Sequence, residues 1–511
     1  MFIPEKFKDI KALVIGAGRS GVWCANLLAS RGFRVLLTES KPYGEVRGML
    51  KELRRGVKLE TGGHTGKILR CGFAIKSPGL SHSNPLILKL KKRGIPVFSE
   101  IETALAFSRS KNLLAVTGTN GKTTTTLLLG EIMKNHLKAP PAAGGAARQY
   151  NAAGTARVCG NIGTPAAKVI SASRRRDAIV MEVSSYQLQD SSYIRPASAC
   201  VLNVTPDHLD HHKTMADYIA AKAKVFKFQR ENDFCVFNYD DKHCRRLAAG
   251  CPSKVLFFSS SKTGGALSAW IEEGTKARRH RGTEAQRHNA CAGAVTKAYG
   301  HSAEGGPAGL FGGQTAKATR IIFSFNGKKS RMTPPALPGL HNLENAMCAG
   351  LMALSRGISP RTVQRTFRAF KGVEHRIEPV RTVKGVTFIN DSKATNVDST
   401  LTALKALGRR KNIWLILGGL DKGSPYKPLS PYIKKYVKFV LTIGAAAPRI
   451  EKELSAAAVI RAGAMPKAVS EAFRKGGKGD IVLLSPACAS FDQFRDFEDR
   501  GKKFREIVKK L

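Results

Sequence analysis

Gly118, Gly121, Lys122, Thr123 and Thr124 stand together in the stretch Leu113-Leu-Ala-Val-Thr-Gly-Thr-Asn-Gly-Lys-Thr-Thr124. An apolar strand pattern runs into a glycine loop there, and a helical pattern through Leu127, Leu128, Ile132 and Met133 follows. Such a loop suits a nucleoside triphosphate. Glycines let backbone N–H groups, those of Thr119 and Asn120 among them, close around phosphate oxygens, and the helix N-terminus adds partial positive charge. Lys122 reaches the terminal phosphates, and the Thr123 hydroxyl can sit on Mg²⁺. The spacing departs from Gly-x-x-x-x-Gly-Lys-Ser/Thr, because Val116 stands where that pattern has its first glycine. An ordinary Gly-Asn turn is the alternative, but Gly-Lys-Thr-Thr at the mouth of a helix is uncommon among such turns.

Mg²⁺ bound to ATP needs oxygen ligands near the phosphates, and Thr123 and Glu182 offer them. A glutamate at a strand end is more often a surface charge; here an apolar run precedes Glu182, and Ser184-Ser185-Tyr-Gln187 follows. The segment Asn203-Val-Thr-Pro-Asp-His-Leu-Asp210 leads into a helix from Thr214 to Phe226, with Thr214 and Asp217 as a capping box. Steps of three and four from Lys222 reach Tyr218, Ile219, Val225 and Phe226, so this lysine lies on the apolar face. An amine held there favours its neutral form, which can add CO₂ and become a carbamate, a two-oxygen metal ligand; His208 could bind the same ion. Helix geometry alone favours the plainer alternative, in which Lys222 snorkels its amine to water.

The elements that must position these groups alternate between short apolar runs and helical patterns, which predicts α/β architecture with mainly parallel sheets. At 511 residues the chain suggests about three domains. The first opens with Ala12–Ile15, then Gly16-Ala-Gly-Arg-Ser-Gly21, a helix from Val22 to Arg31 and a strand ending at Glu39, a βαβ start that suits a dinucleotide or nucleotide diphosphate. A loop at Lys76-Ser-Pro-Gly-Leu80 should share its sheet edge. The second domain carries the phosphate loop and the buried-type runs 178–183 and 199–204. Ligands gather at the carboxyl ends of such strands, so Glu182, Ser184, Asp207 and His208 should converge on the loop. The third starts near Val373 with strands at 386–389, 413–417, 439–443 and 481–484. Two stretches, 136–157 and 275–319, lack periodicity and read as flexible insertions.

Composition excludes several classes. No apolar run approaches a membrane span, the start Met-Phe-Ile-Pro-Glu-Lys is no secretion signal, and ten scattered cysteines without a Cys-x-x-Cys pair read as reduced cytoplasmic thiols. The net charge of +46, from 84 Lys and Arg against 38 Asp and Glu, raises nucleic-acid binding. The basic residues are spread along the chain with few interleaved aromatics, and no nucleic-acid-binding signature appears, so a basic proteome or a polyanionic substrate is the preferred reading.

Further motifs follow in order: Gly160-Asn-Ile-Gly-Thr-Pro165, Gly339-Leu-His-Asn-Leu-Glu-Asn345, His375-Arg-Ile-Glu378, Asn390-Asp-Ser-Lys-Ala-Thr-Asn396, Gly418-Gly-Leu-Asp-Lys422 and Ser485-Pro-Ala-Cys-Ala-Ser-Phe-Asp-Gln-Phe494. Each alone could be a loop with turn residues. With the phosphate loop, in this order, the chain resembles the Mur ligase family from about Ile10 to Leu511, and within it the branch that adds D-glutamate to UDP-N-acetylmuramoyl-L-alanine.

The resemblance implies a Rossmann-like N-terminal domain (1–110), a central ATPase-like domain (111–372) and a Rossmann-like C-terminal domain (373–511). It implies an ATP-dependent ligase of peptidoglycan precursor synthesis that works through an acyl phosphate, in the cytoplasm, as a monomer with no nucleic-acid or membrane partner. Arg19, Ser20, Thr38, Glu39, Ser40, Ser77 and Gly79 would hold the uridine diphosphate end, and Asn161, Ser184 and Gln187 the muramoyl-alanine end. Lys122 and Thr123 match the phosphate-binding pair. Glu182 and His208 match ligands for Mg²⁺, two ions in all, and Lys222 the carbamylated lysine. Asn342 and Asn345 would lie on the adenine side, with Arg376 and Asp391 reaching ATP from the third domain. Lys393, Thr395, Lys422, Ser490 and Phe497 would receive D-glutamate. The spacing from His208 to Lys222, one residue short, departs from the family pattern. Another Mur ligase, a folylpolyglutamate-synthase-like ligase, or a basic nucleic-acid-binding ATPase are the competing readings.

Overall fold

The apolar runs pair into parallel-dominated sheets in the computed structural model, which describes residues 2–81, 83–138, 154–272 and 319–511. The chain divides into two compact units. One comprises Met1–Trp270, Phe323–Ser330 and Glu344–Thr366; the other comprises Ile271–Ile322, Arg331–Leu343 and Phe367–Leu511.

In the first unit a five-stranded parallel sheet has the order Lys58–Glu60, Val35–Thr38, Ala12–Ile15, Phe73–Lys76, Val97–Ser99. The central three strands are buried along their whole length, as continuous apolar runs require. The helix after the first strand starts at Arg19, ahead of the expected Val22. Gly21 explains the earlier start: a Cβ there would lie 1.9 Å from the Gly16 carbonyl oxygen, so only glycine lets the first helical turn press onto the loop.

A second sheet, nine-stranded among the described residues, runs through Lys254–Ser259, Phe234–Asn238, Ser198–Val201, Asn112–Thr117, Ala178–Glu182 and Ala156–Gly160 in that spatial order, all parallel. One apolar cluster joins it to the first sheet, with Val14 and Phe73 on one side and Ala115, Met181 and Val201 on the other. The polar seam is equally shared. Lys76 forms a buried ion pair with Asp190, Ser99 meets the Ser191 hydroxyl at 2.8 Å, and Glu102 accepts from the backbone of Phe2 (2.7 Å) and Ser192 (2.6 Å).

The second unit holds a six-stranded sheet ordered Glu378–Val383, Val386–Asn390, Ile481–Leu484, Ile413–Gly418, Val437–Ile443, Val459–Gly463. Only its first strand is antiparallel, with a bulge between Pro379 and Arg381. Trp414 is buried at its centre and donates its indole N–H to Asp480 at 3.0 Å.

The first expected insertion has structured ends, and of the second only Thr319 is described. The helix Lys122–Lys138 runs through 136–138 and the strand Ala156–Gly160 begins inside the first stretch; 139–153 and 273–318 lie outside the described residues. Among the described residues no helix is long and apolar enough to cross a membrane.

Glu100 is buried in the seam and accepts the Ala167 N–H at 2.9 Å. Burial outweighs that hydrogen bond and pushes its carboxyl from 4.5 up to about 7. Because the folded value is raised, the protonated carboxyl's contribution is present below pH 4.5 and is lost as pH rises through about 7. Glu100→Gln should flatten the fall in stability across that window by up to about 3 kcal/mol, read by urea unfolding at a series of pH values.

Candidate functional site

The loop between Thr117 and Lys122 is built from backbone the sequence has few ways to replace. Gly118 sits at φ +152° and Gly121 at φ +83°, and a Cβ on Gly121 would lie 2.2 Å from Asn345 Oδ1. Asn203, at the end of the adjacent strand, holds the loop open. Its Oδ1 accepts from the N–H of Thr119 (3.1 Å) and Asn120 (2.8 Å), and its carbonyl accepts from Thr119 at 3.0 Å. The Thr119 hydroxyl donates to the Thr205 carbonyl at 3.2 Å and meets Tyr218 Oη at 3.0 Å. Thr125 adds a 3.2 Å bond to Asn345 Oδ1.

Two lysines converge on this loop. Lys122 Nζ donates to the carbonyls of Gly118 (2.9 Å) and Thr119 (2.7 Å). Lys222 is 1 % exposed and donates to the same Gly118 carbonyl at 2.8 Å, its Nζ 4.3 Å from the centre of the Tyr218 ring. Burial, reinforced by the nearby Lys122 charge, lowers Lys222 well below the ordinary lysine range. The amine is thus inside, not snorkelling to water. The expected Thr214 cap is present, accepting the Asp217 N–H at 3.1 Å.

Glu182 lies opposite Val116 in the sheet register and is 2 % exposed. Its Oε1 accepts from Asn161 at 3.0 Å, whereas buried Oε2 has no hydrogen-bond partner among the described residues. Thr123 and Thr124 are buried in the first helical turn. His208 occupies a left-handed backbone position (φ +55°), with Nδ1 3.2 Å from Tyr186 Oη and Nε2 3.6 Å from Asp207. Neighbouring His212 is pulled down to about 4 by burial first, and by the neighbouring His211 and His208. Among the described residues no three His, Cys, Asp or Glu side chains gather as a metal cluster.

On the first sheet Arg19 is exposed and donates to the Gly163 carbonyl, and Ser20 follows it in the opening helical turn. Thr38 is buried and bonded to Glu60 (3.0 Å) and His64 (2.8 Å). Glu39 turns back onto the glycine loop, accepting from the N–H of Ala17 at 2.7 Å, with Ser40 Oγ at 3.1 Å. Burial alone would raise its carboxyl, but those donors and the Lys41 N–H hold it below the usual range. Ser77 Oγ sits 3.5 Å from the Gly16 carbonyl, and Gly79 has open space where a side chain would project. Ser184 and Gln187 are engaged with each other: they cap the helix Ser185–Asp190, with bonds of 3.0 and 3.3 Å.

Asn342 and Asn345 lie about one turn apart on the helix Leu340–Ser355, where Asn342 donates to the Pro338 carbonyl at 2.7 Å. In the second unit buried Asp391 accepts from the Ile377 N–H (3.2 Å) and the Ser485 hydroxyl (2.7 Å). Burial raises it to about 7 against those donors and the nearby Arg376 charge. Lys393 Nζ lies 5.0 Å from the Phe497 ring centre, and the Thr395 N–H donates to the Lys393 carbonyl at 2.9 Å. Ser490 is buried and Lys422 exposed.

Three positioning residues escaped the sequence reading. Asn203 carried one signal, a polar residue directly after an apolar run beside the phosphate-loop strand. Tyr218 was read only as part of an apolar face. Arg500 had none: fully buried, it donates to Ser392 Oγ (3.0 Å) and to the carbonyls of Ser392 (2.8 Å), Cys488 (3.2 Å) and Ala489 (3.3 Å), tying two motif loops together.

Residues 10–99 match the family model described as Mur ligase MurD-like, N-terminal domain; residues 116–353 match Mur ligase middle domain; residues 375–488 match Mur ligase, glutamate ligase domain. The chain is 44% identical over 513 residues to the UDP-N-acetylmuramoylalanine--D-glutamate ligase of Elusimicrobium minutum, covering 100% of each. It is 37% identical to the enzyme of that name from Koribacter versatilis, covering 98% of this chain and 97% of the relative. The fold is that of the UDP-N-acetylmuramate-alanine ligase MurC from Thermotoga maritima, at TM-score 0.57 and 16% identity, with 98% of this chain and 99% of that one covered. A phosphate loop of this construction within a likeness that spans the whole length places the chain in the Mur ligase family.

Proposed function

We propose that the chain is an ATP-dependent ligase that joins D-glutamate to the alanine carboxylate of UDP-N-acetylmuramoyl-L-alanine, a step of peptidoglycan precursor synthesis. The full-length likeness to enzymes of that name carries the reading, and the phosphate loop supplies its chemistry.

ATP is a substrate here. Asn203 holds the Thr119 and Asn120 N–H groups that the sequence assigned to phosphate, so the N–H of Gly121 and those of the first turn of the Lys122–Lys138 helix receive the phosphates, and Lys122 exchanges its carbonyl partners for phosphate oxygens. The alanine carboxylate attacks the γ-phosphorus and ADP leaves, giving an acyl phosphate. The amine of D-glutamate then adds to the acyl carbon, and the tetrahedral adduct collapses with loss of phosphate. The protein's work is positioning and charge compensation.

Thr123, Glu182, His208 and a carbamylated Lys222 would hold Mg²⁺, whose chemistry when bound is to neutralise charge on the transferring phosphoryl group. The partnerless, buried Glu182 Oε2 fits that role. A carbamate on Lys222 also fits, because burial favours the neutral amine that adds CO₂, and the product keeps one N–H for the Gly118 carbonyl.

In this reading Arg19, Ser20, Thr38, Glu39, Ser40, Ser77 and Gly79 serve the uridine diphosphate end, and Asn161, Ser184 and Gln187 the muramoyl-alanine end. Asn342, Asn345, Arg376 and Asp391 serve ATP, and Lys393, Thr395, Lys422, Ser490 and Phe497 receive D-glutamate. The division at 1–110, 111–372 and 373–511, and action as a cytoplasmic monomer, belong to the same proposal.

Phosphate release should require both UDP-N-acetylmuramoyl-L-alanine and D-glutamate and be indifferent to added DNA or RNA; turnover without the amino acid would refute the reading. Lys122→Ala should lower kcat by a factor on the order of a thousand, measured by coupled ADP release. Lys222→Ala should lose activity and regain part of it with added acetate or formate. No regain would remove the carbamate and leave the ligase standing.

A further inference from the structure

Lys422 opens a run of four exposed residues, 422–425, that ends at Tyr426, itself only 1 % exposed. Both ends of that run are fixed. Before it, Leu420 and Ala489 exchange two backbone hydrogen bonds of 2.9 and 3.1 Å, and Asp421 Oδ2 accepts from Arg449 at 2.6 Å. At the far end the Tyr426 N–H donates to Glu453 Oε2 at 2.6 Å. Arg449 spans the two, donating to Glu453 Oε1 at 2.8 Å and to the Gly423 carbonyl at 3.2 Å.

The Tyr426 hydroxyl closes the run from the inside. It donates to Asp421 Oδ1 at 3.0 Å and lies 3.0 Å from Cys488 Sγ. A phenol has a single proton to give, so Asp421 receives it and the Cys488 S–H donates to the phenol oxygen. Burial raises the thiol to about 11 and pushes the phenol up as well, so both keep their protons at neutral pH. Asp421 is the charged end of this chain of bonds: burial alone would raise it, but Arg449, the Gly423 N–H and Tyr426 hold it below the usual carboxylate range. The chain therefore runs from the residue two places before Ser490 to the residue directly before Lys422. The phosphoryl chemistry uses none of these groups.

A buried tyrosine is commonly a packing residue, and the Tyr426 ring does pack in the core of this sheet. Phenylalanine would serve that purpose equally; the hydroxyl adds a tie between two loops. We propose that Tyr426 is a positioning residue for the incoming amino acid: its hydroxyl locks the loop of Lys422 to the loop of Ser490, so that the two side chains assigned to D-glutamate stand at one fixed separation. This role rests on the ligase reading above. Arg449 is the outer brace, gripping Asp421 and Gly423, the residues on either side of Lys422. Without the hydroxyl, Asp421 loses its inner side-chain donor and Cys488 its acceptor, and ordering Lys422 then costs binding energy each time the amino acid arrives.

The test is steady-state kinetics of the full-length protein with each of the three substrates varied in turn. Tyr426→Phe should raise KM for D-glutamate by about tenfold, with KM for ATP and for UDP-N-acetylmuramoyl-L-alanine unchanged and kcat altered by less than about threefold. Arg449→Met, which removes the brace from the surface side, should show the same selective rise. An unchanged KM for D-glutamate in Tyr426→Phe overturns the proposal, as does a loss spread over all three substrates, which is what a general weakening of the unit produces. If Tyr426→Phe does not fold, an unchanged KM for D-glutamate in Arg449→Met overturns it instead. Wild-type protein that releases phosphate without D-glutamate refutes the ligase reading, and this role falls with it.

Discussion

Two lysine amines meet on one backbone oxygen, the carbonyl of Gly118, at 2.9 Å from Lys122 and 2.8 Å from Lys222. Two full charges so placed in a buried setting repel strongly, and desolvation penalises the more deeply buried one. The arrangement therefore favours a neutral Lys222 and a charged Lys122. That difference divides the labour of the site: one amine is available to a phosphate, and the other is held as an uncharged nitrogen inside the protein. The carbonyl can face both only because Gly118 adopts φ +152°, where a Cβ would lie 2.9 Å from the Leu202 side chain.

Neighbours that carry no charge keep that geometry. Asn203 grips the loop N–H groups from one side, Tyr218 covers Lys222 and bonds Thr119, and Asn345 fills the space against Gly121 that a side chain would need. All belong to the first compact unit, so the phosphate loop is formed without help from the second. The seam beneath it is built from ionisable side chains instead: Lys76 pairs with Asp190, and Glu100 and Glu102 accept backbone N–H groups. Removing one partner of such a pair leaves an uncompensated charge, so the seam resists piecemeal change.

What could be read from the residues, and what could not, follows from how local each feature is. The strands at 12–15, 178–182 and 413–418 show as continuous apolar runs because both faces are buried. The Thr214 cap and the apolar placement of Lys222 follow from helical spacing alone. The Ser184–Gln187 box was within reach of the same rule but went unremarked beside the ligand role, since a capping residue and a ligand residue share one chemistry. The first helix was placed late because its start depends on how close Gly21 comes to Gly16, a distance no periodicity reports. Asn203, Tyr218 and Arg500 act across 83, 99 and 108 residues of chain respectively. Only the folded sheet brings their partners near.

Arg500 shows why such distant contacts matter for charge as well as shape. Its hydrogen bonds all go to neutral oxygens, those of Ser392, Cys488 and Ala489, which orient its dipolar surroundings without cancelling its charge. Burial lowers it only to about 10, so it stays a cation at neutral pH. Two carboxylates, Asp492 and Asp391, act on it from nearby, and Asp391 is itself raised to about 7 by burial. Lys393 lies beside Phe497 in the same unit, so two cations stand among the residues assigned to the amino acid and its neighbours. In the proposed reaction the amino acid brings two carboxylates and must present a neutral amine. A fixed cation held by backbone carbonyls, as Arg500 is, can offset the first without itself acting as a base that would compete for the second.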